Sequence, residues 1–381
     1  MRPWLPVALQ LALAAPSSAQ TGLRIERQRV LHYDMETRAV GPYLSEHEAE
    51  AQGLLWSRVL LHETAVSGVR IHVEVVRAPA DVGWRVEVYD LAGSPIETMP
   101  GNALPLAAGE FWTTEIPGRG GEVRLVSDGA ADDLQIRIRR YAFRVARAIP
   151  QAITGGHNGM VAVGNAPAAV RGWAGPVARL RVMTEEGQAN CTGFLVSREL
   201  LLTNDHCVAG ASELLSLVAD FGFDTYGATL DRYRAVSLEA QNDALDYALV
   251  RLRPVPASRW GQIVLQPVQA PVENEALVVI QHPGGEPKHV SLLDCTVDGT
   301  TRAGVGGAPS DFGHQCDTLG GSSGAPVLDS QTGQIVGLHH WGYVESDPEP
   351  VNQAVHLSLV LDDLRTKHVA LYQEIVTNAS P

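Results

Sequence analysis

Strict two-residue alternation of apolar and polar side chains recurs through the first half of the chain and confines it to β structure. "VRIHVEVV" sets Val69, Ile71, Val73 and Val75 on one side; "WRVEVYD" does so with Trp84, Val86 and Val88, and "LQIRIRR" with Leu134, Ile136 and Ile138. Period two sends successive side chains to opposite faces of a strand, whereas a helix needs a period of about 3.6. The clusters "APADVG", "LAGSP", "IPGRGG" and "SDGAAD" separate the runs as turns. Short alternating strands with frequent turns predict a β-sandwich within residues 20–147. No catalytic constellation stands out there, so a structural or binding role is the default.

Residues 148–176 change character. Sixteen of these 29 positions are Ala, Gly or Pro, and Arg171 is the only charged one. That composition reads as a linker open to proteolytic nicking. Residues 177–381 form a second β-rich region. Its strands include "CTGFLVS", "LLLTN", "DYALVRL", "ALVVIQH" and "QIVGLHHWG". Helical spacing of apolar residues appears only in "LSLVLDDLRTKHVALYQEIV", read as a C-terminal helix. The fold class is therefore all-β, with one helix closing the chain.

Residues 1–19 carry Arg2, an apolar run from Val7 to Ala15, and Ser17-Ser18-Ala19, the pattern of a signal peptide cleaved after Ala19. No later stretch reaches the ~18 apolar residues of a membrane span. The expectation is an exported, soluble protein, without a membrane partner. A formal net charge of -14 argues against a nucleic-acid backbone or an anionic membrane as the main partner. The four cysteines, Cys191, Cys207, Cys295 and Cys316, suit disulfides in an oxidising compartment, with three pairings open. No Cys-x-x-Cys is present, which disfavours a zinc ribbon, and neither a metal nor a cofactor is expected.

"TLGGSSGAPV", residues 318–327, holds two adjacent serines between glycines. Read as Gly-x-Ser-x-Gly it is a nucleophile elbow and Ser322 attacks. Read as Gly-x-Ser-Gly-x-Pro it is a chymotrypsin-type serine loop and Ser323 attacks. The elbow needs a helix after the serine and the order Ser, acid, His. Pro326 stands where that helix would run, and "PVLDSQTGQIVGL" reads as strand, turn, strand. The other template needs His, then Asp, then Ser. "LLLTNDHCV" supplies His206 after an apolar strand, and "NDALDYALVRL" supplies Asp246 before one. A serine hydroxyl needs such a base, and the base needs a carboxylate.

With "LLTNDHCV", "DYALVRL", "QHPGGEPK", "DTLGGSSGAPV" and "IVGLHHWG" in order, the chain from about 177 to 365 resembles a trypsin-like serine protease, nearest the bacterial glutamyl endopeptidase branch. The resemblance implies two six-stranded antiparallel barrels with the catalytic residues in the cleft between them. It implies Ser323 as nucleophile, His206 as general base then acid, Asp246 as its orienting carboxylate, and the amides of Gly321 and Ser323 as the oxyanion hole. It joins Cys191 to Cys207, and Cys295 then pairs with Cys316. In that branch a threonine and a histidine read an acidic side chain; these match Thr318 and His339, although the His339-His340 doublet leaves the register open by one. Asp317, six residues before Ser323, stands where trypsins bind Lys or Arg. The substrates implied are proteins or peptides and the enzyme a monomer. The residues of the first half resemble jelly-roll accessory domains of secreted bacterial proteases, as retained domain or propeptide. The rival readings are a catalytically silent binding protein on the same scaffold and a secreted esterase using the same residues. His282, His289 and His314 lack tight ligand spacing and are read as surface or turn histidines.

Overall fold

The computed structural model describes residues 24–38, 54–61, 68–78, 82–103, 109–129, 134–148, 151–153, 158–184, 187–342 and 351–377. The signal-peptide segment, 1–19, lies outside them.

The first half contains β1 (Arg24–Arg38), β2 (Leu54–Leu61), β3 (Gly68–Arg77), β4 (Trp84–Asp90), β5 (Pro95–Pro100), β6 (Glu110–Trp112), β7 (Ile116–Pro117), β8 (Gly120–Ser127) and β9 (Gln135–Ala148). One sheet runs β1-β9-β3-β6 with β7 also on β3; the other runs β2-β8-β4-β5. Val69, Ile71 and Val73 from the first sheet meet Val86, Val88, Val123 and Leu125 from the second in one buried cluster. Each such side chain contributes about 1.5–3 kcal/mol of burial, which is why the alternation specified these strands.

The opposite face of β3 does not follow the alternation. Arg70 and His72, which period two would place in solvent, are buried. His72 packs on Trp112 and meets Glu110 within the first half, whereas Arg70 reaches the second half of the chain. Arg70 donates from Nε to the Thr113 carbonyl at 2.7 Å and from Nη2 to the Ser216 carbonyl at 2.9 Å. Ser216 ends the helix Ala211–Ser216 of the second half. Arg234 answers in the other direction, donating to Glu97 Oε1 at 2.8 Å and to the Trp112 carbonyl at 3.0 Å. Trp112, Ala142 and Met183 form an apolar cluster across the same junction.

The second half begins with β10 (Gln151–Ala152) and β11 (Met160–Ala162), both inside the stretch read as a linker. β11 pairs with β19 (His289–Ser291), and Val163, Ala166, Val170 and Ala174 behind it are buried. The Ala- and Gly-rich composition here reflects close packing on the second sheet as well as connection. Then come β12 (Val177–Thr184), β13 (Gly187–Leu195), β14 (Leu200–Thr203), β15 (Val218–Phe221), β16 (Asp231–Asn242) and β17 (Tyr247–Arg253), closing as a barrel in the order β12-β13-β14-β17-β16-β15.

The remaining strands are β18 (Leu277–Gln281), β19, β20 (Asp311–His314), β21 (Thr318–Leu319), β22 (Pro326–Asp329), β23 (Ile335–Trp341) and β24 (Asn352–His356). They form a seven-stranded path, β11-β19-β18-β22-β23-β24-β20, rather than a second closed six-stranded barrel. Isolated bridges Ala276↔Thr296, Val297↔His314 and Arg302↔Asp311 link the segment after β19 to the start of β18 and to β20. The segment that would carry a continuous ladder contains Gly299, Gly304, Gly306, Gly307 and Pro309, which weaken strand pairing. β21 lies off this path and pairs with β10.

The expected C-terminal helix is two helices, α1 (Leu357–Lys367) and α2 (Val369–Thr377). His368, at φ -134° and ψ 56°, breaks the run. Leu357, Val360, Leu361 and Leu364 bury the inner face of α1. The disulfides join Cys191 to Cys207 and Cys295 to Cys316.

A buried ion cluster ties the barrel to the second sheet. Asp220 on β15 is fully buried. Arg179 reaches its Oδ2 at 2.7 and 3.0 Å, and Arg181 forks onto both oxygens at 2.8 and 3.0 Å. Arg179 also donates to the Gly285 carbonyl at 2.9 Å, beyond β18. Burial pushes the Asp220 carboxyl up, but Arg181 and Arg179 outweigh it and hold it well below the usual range. Asp220→Ala leaves two buried guanidinium groups without their counter-ion and is expected to cost about 3–5 kcal/mol in urea unfolding. The depressed carboxyl contributes fully above its unfolded value of about 3.9 and loses that contribution as pH falls toward the folded value. Wild type should therefore lose more stability on acidification than the variant; equal acid sensitivity would refute the role of the ion pair.

Candidate active site

β14 and β17 are neighbours in the barrel, with Thr203 opposite Ala248, so the residues just beyond their paired ends meet. His206 lies in the single 3₁₀ turn Asp205–Cys207 that follows β14. Asp246 immediately precedes β17 and adopts φ 47°, a left-handed conformation that a non-glycine residue holds only against strain. Asn204 helps hold it there, donating from Nδ2 to the Asp246 carbonyl at 2.8 Å. The Asp246 carboxylate accepts twice from His206: Oδ1 from the backbone N–H at 3.0 Å, Oδ2 from Nδ1 at 2.8 Å. That bond assigns the proton to Nδ1 and leaves Nε2 with the lone pair a base needs. The His206 side chain is 48% exposed and that of Asp246 5%.

The Cys191–Cys207 disulfide pins the histidine turn to β13, and the sulfurs lie within 4.8 Å of a His206 ring nitrogen. Both sulfurs are consumed by the disulfide, so this cluster offers no thiolate pair to a metal. Thr192, the next residue on β13, donates its N–H to the Ser323 carbonyl at 2.7 Å. Ser323 thereby sits against the strand to which the disulfide ties the histidine turn.

The two serines differ sharply. Ser322 is fully buried, and its Oγ accepts from the Leu319 N–H at 3.1 Å. It braces the turn. Ser323 is partly exposed. The glycines beside them are required by their backbone. Gly321 has φ +104°, and a Cβ there would meet Gly285 N and the His282 carbonyl at 2.9 Å. Gly324 has φ +85°, and a Cβ would strike the Thr192 carbonyl at 2.1 Å. Thr192 Oγ1 donates to the Gly321 carbonyl at 2.9 Å, and Gly284 N–H to the Gly320 carbonyl at 2.6 Å. These two bonds fix the Gly320 and Gly321 carbonyls on the protein side of the loop.

Behind Asp246 lies a group that sequence reasoning did not assign. His340 on β23 faces Asp246 Oδ2 through Nδ1 at 3.1 Å and Asp311 Oδ2 through Nε2 at 2.6 Å. Burial pushes His340 down, but the two carboxylates outweigh it and raise it to about 9. The doublet 339–340 and the acid of "DFGH" were the available signals; nothing in them showed that β20 and β23 sit two strands apart and bring the pair together.

His339 points to the opposite side of β23, and its Nδ1 lies 3.1 Å from His314 Nε2. His314, read from sequence as a surface or turn residue, is fully buried, as is His282, which stacks on Phe223 at 6.1 Å between ring centroids. Burial and the charge on His340 hold His314 down to about 3. Burial, His314 and His340 keep His339 well below its ordinary value as well. His289 is partly buried, with Nδ1 2.7 Å from the Pro287 carbonyl. Thr318 is buried on β21. Asp317 beside it is buried and accepts the Gly159 N–H on Oδ2 at 2.5 Å.

Among proteins of known sequence, "Secreted RxLR effector protein 73" of Plasmopara viticola is 34% identical over 182 residues, 44% of this chain and 44% of that protein. An uncharacterized protein, y4fB, of Sinorhizobium fredii is 30% identical over 186 residues, 44% of this chain and 27% of that protein. The chain thus spans less than half the length of these curated relatives. Among solved structures, a Glu endopeptidase in complex with MPD superposes with a TM-score of 0.43 at 19% identity, covering 57% of this chain and all of that one. Residues 191–338, which include His206, Asp246 and Ser323, match the trypsin-like peptidase domain family. The match runs from β13 in the closed antiparallel barrel to β23 in the second sheet, so this half of the chain carries a region similar to trypsin-like peptidases.

Proposed function

We propose that the chain is an exported serine endopeptidase that uses His206, Asp246 and Ser323 and cleaves after Glu or Asp. The observation that carries the reading is the fixed His206–Asp246 pair, at 2.8 Å, together with the partly exposed serine of a glycine loop held against β13. Ser323 Oγ attacks the scissile carbonyl and its proton passes to His206 Nε2. Asp246 stabilises the imidazolium. The amides of Gly321 and Ser323 receive the oxyanion. His206 then protonates the departing amine, and water repeats the sequence on the acyl-enzyme. Two disulfides suit an oxidising compartment. Among the described residues no helix is long and apolar enough to cross a membrane.

A fluorophosphonate probe should label Ser323 in wild type. Ser323→Ala should abolish labelling and lower kcat by roughly 10³-fold or more, while Ser322→Ala, which touches only the turn, keeps most of the activity. Asp246→Asn should lower kcat by about 10⁴. Equal losses from Ser322→Ala and Ser323→Ala would refute the assignment.

The acidic preference is supported by three features. His339 is held neutral and can donate to a carboxylate. Thr318 supplies a hydroxyl. Asp317, which would otherwise favour Lys or Arg, accepts the Gly159 amide. Substrates with Glu at the cleaved position should exceed their Lys counterparts in kcat/KM. Thr318→Val should cut the Glu value roughly ten- to a hundredfold, the worth of a hydrogen bond to a charged group. Preference for Lys would overturn this specificity.

The sandwich is proposed to be a retained domain. Arg70 is fully buried between the halves and Arg234 reaches back to Glu97. A cleavable sequence inserted between β10 and β11 allows the test: after cutting, the two fragments should co-elute on size exclusion without denaturant. Separation would make the first half a releasable propeptide.

A further inference from the structure

We propose that His340, backed by Asp311, is a positioning residue that holds the Asp246 carboxylate in the orientation His206 requires. The inference rests on the peptidase reading above. Its basis is geometric. Both ring nitrogens of His340 face carboxylate oxygens, at 3.1 Å on Asp246 and 2.6 Å on Asp311. A neutral imidazole has one N–H and could donate to only one of them, so the ring between two carboxylates is an imidazolium. It is sealed: the side chains of His340 and Asp311 are each 2% exposed. Asp311 is itself fixed, accepting the Ser310 hydroxyl on Oδ1 at 2.8 Å.

Asp246 therefore carries two imidazoles on one oxygen. Oδ2 takes Nδ1 of His206 from the first barrel and Nδ1 of His340 from the second sheet. Two donors on one oxygen restrict rotation of the carboxylate more than one can, and the second comes from a rigid strand. The cation also partly offsets the negative charge that His206 senses. The charged and titratable groups around this site are Asp246, Asp205 and His206 from the first barrel, Asp311 from β20 and His356, which ends β24, with His314 and His339 on the other face of β23. His314, His339 and His356 are all shifted toward their neutral forms, so they add no competing cation near neutral pH.

The test uses the full chain, with wild type, His340→Gln, Asp311→Asn and the double variant, each counted for competent sites by fluorophosphonate labelling. His340→Gln should lower kcat roughly ten- to a hundredfold, a fraction of what general acid–base catalysis supplies, and leave KM unchanged. Removing the cation should also move the acidic limb of the kcat/KM profile to higher pH, because His206 then faces a less compensated carboxylate. The double variant should match His340→Gln, since Asp311 acts through His340. An unmoved acidic limb, or additive losses, would overturn the proposal. Ring ¹⁵N resonances of His340 in the unmodified protein, assigned through the backbone, give a check independent of any variant: two protonated nitrogens at neutral pH support the proposal, and one refutes it. If wild type fails to label at Ser323, the peptidase reading itself falls, a result distinct from active wild type with indifferent variants.

Discussion

The carboxylate of Asp246 is the point at which the two β units of the second half are held in chemical register. His206 and Asp246 come from adjacent strand ends of the closed barrel, and His340 comes from β23 of the other sheet. Burial alone would push this carboxyl up; the hydrogen bonds from His206 and His340 more than reverse that and keep it ionised. A buried anion of this kind is tolerated because its oxygens are satisfied and a cation lies beside it. The left-handed backbone at Asp246 is the conformational cost of aiming the side chain back toward His206.

A second charged link reinforces the same junction from the other side. Asp220 fixes Arg179 in the first barrel, and Arg179 holds the Gly285 carbonyl of the second sheet. Gly284, one residue earlier, donates to the Gly320 carbonyl beside the serine loop. The glycine loop is thus supported through backbone groups on both flanks, by Thr192 from the barrel and by Gly284 from the second sheet. Because these contacts are to main-chain atoms, they shape the loop without filling the space in front of Ser323. Burial and the nearby guanidinium groups of Arg181 and Arg234 push Arg70 down, while Glu97 and Glu115 act in the opposite sense. Arg70 is accommodated there by carbonyl oxygens, which accept its N–H groups without a formal counter-charge.

Much of the candidate site was legible before any coordinates. His206 and Asp246 announced themselves by standing at strand ends, and Pro326 ruled out the helix that would have favoured Ser322. In the structure the Ser322 hydroxyl accepts the Leu319 amide. The doublet His339-His340 was ambiguous in sequence because adjacent strand residues differ only in which face they take. Their pairing partners separate them, His314 on one face and Asp246 with Asp311 on the other. The stretch 148–176 was misleading for a related reason: small residues suit an open connection and tight packing equally well, and here β11 joins a sheet.

The amino-acid sequence by itself determined most of the strands and the order of the candidate residues His206, Asp246 and Ser323, because period, turn residues and side-chain type are local properties. Only the tertiary structure decided which carboxylate meets which imidazole, that isolated bridges link the segment after β19 to β18 and β20, and that Arg70 lies buried between the halves. The carboxylate–imidazole contacts and the burial of Arg70 depend on residues 29 to 146 positions apart in the chain. No local pattern carries such information: it arises when strand pairing brings distant segments together and desolvation leaves each buried polar group to the partner that packing supplies.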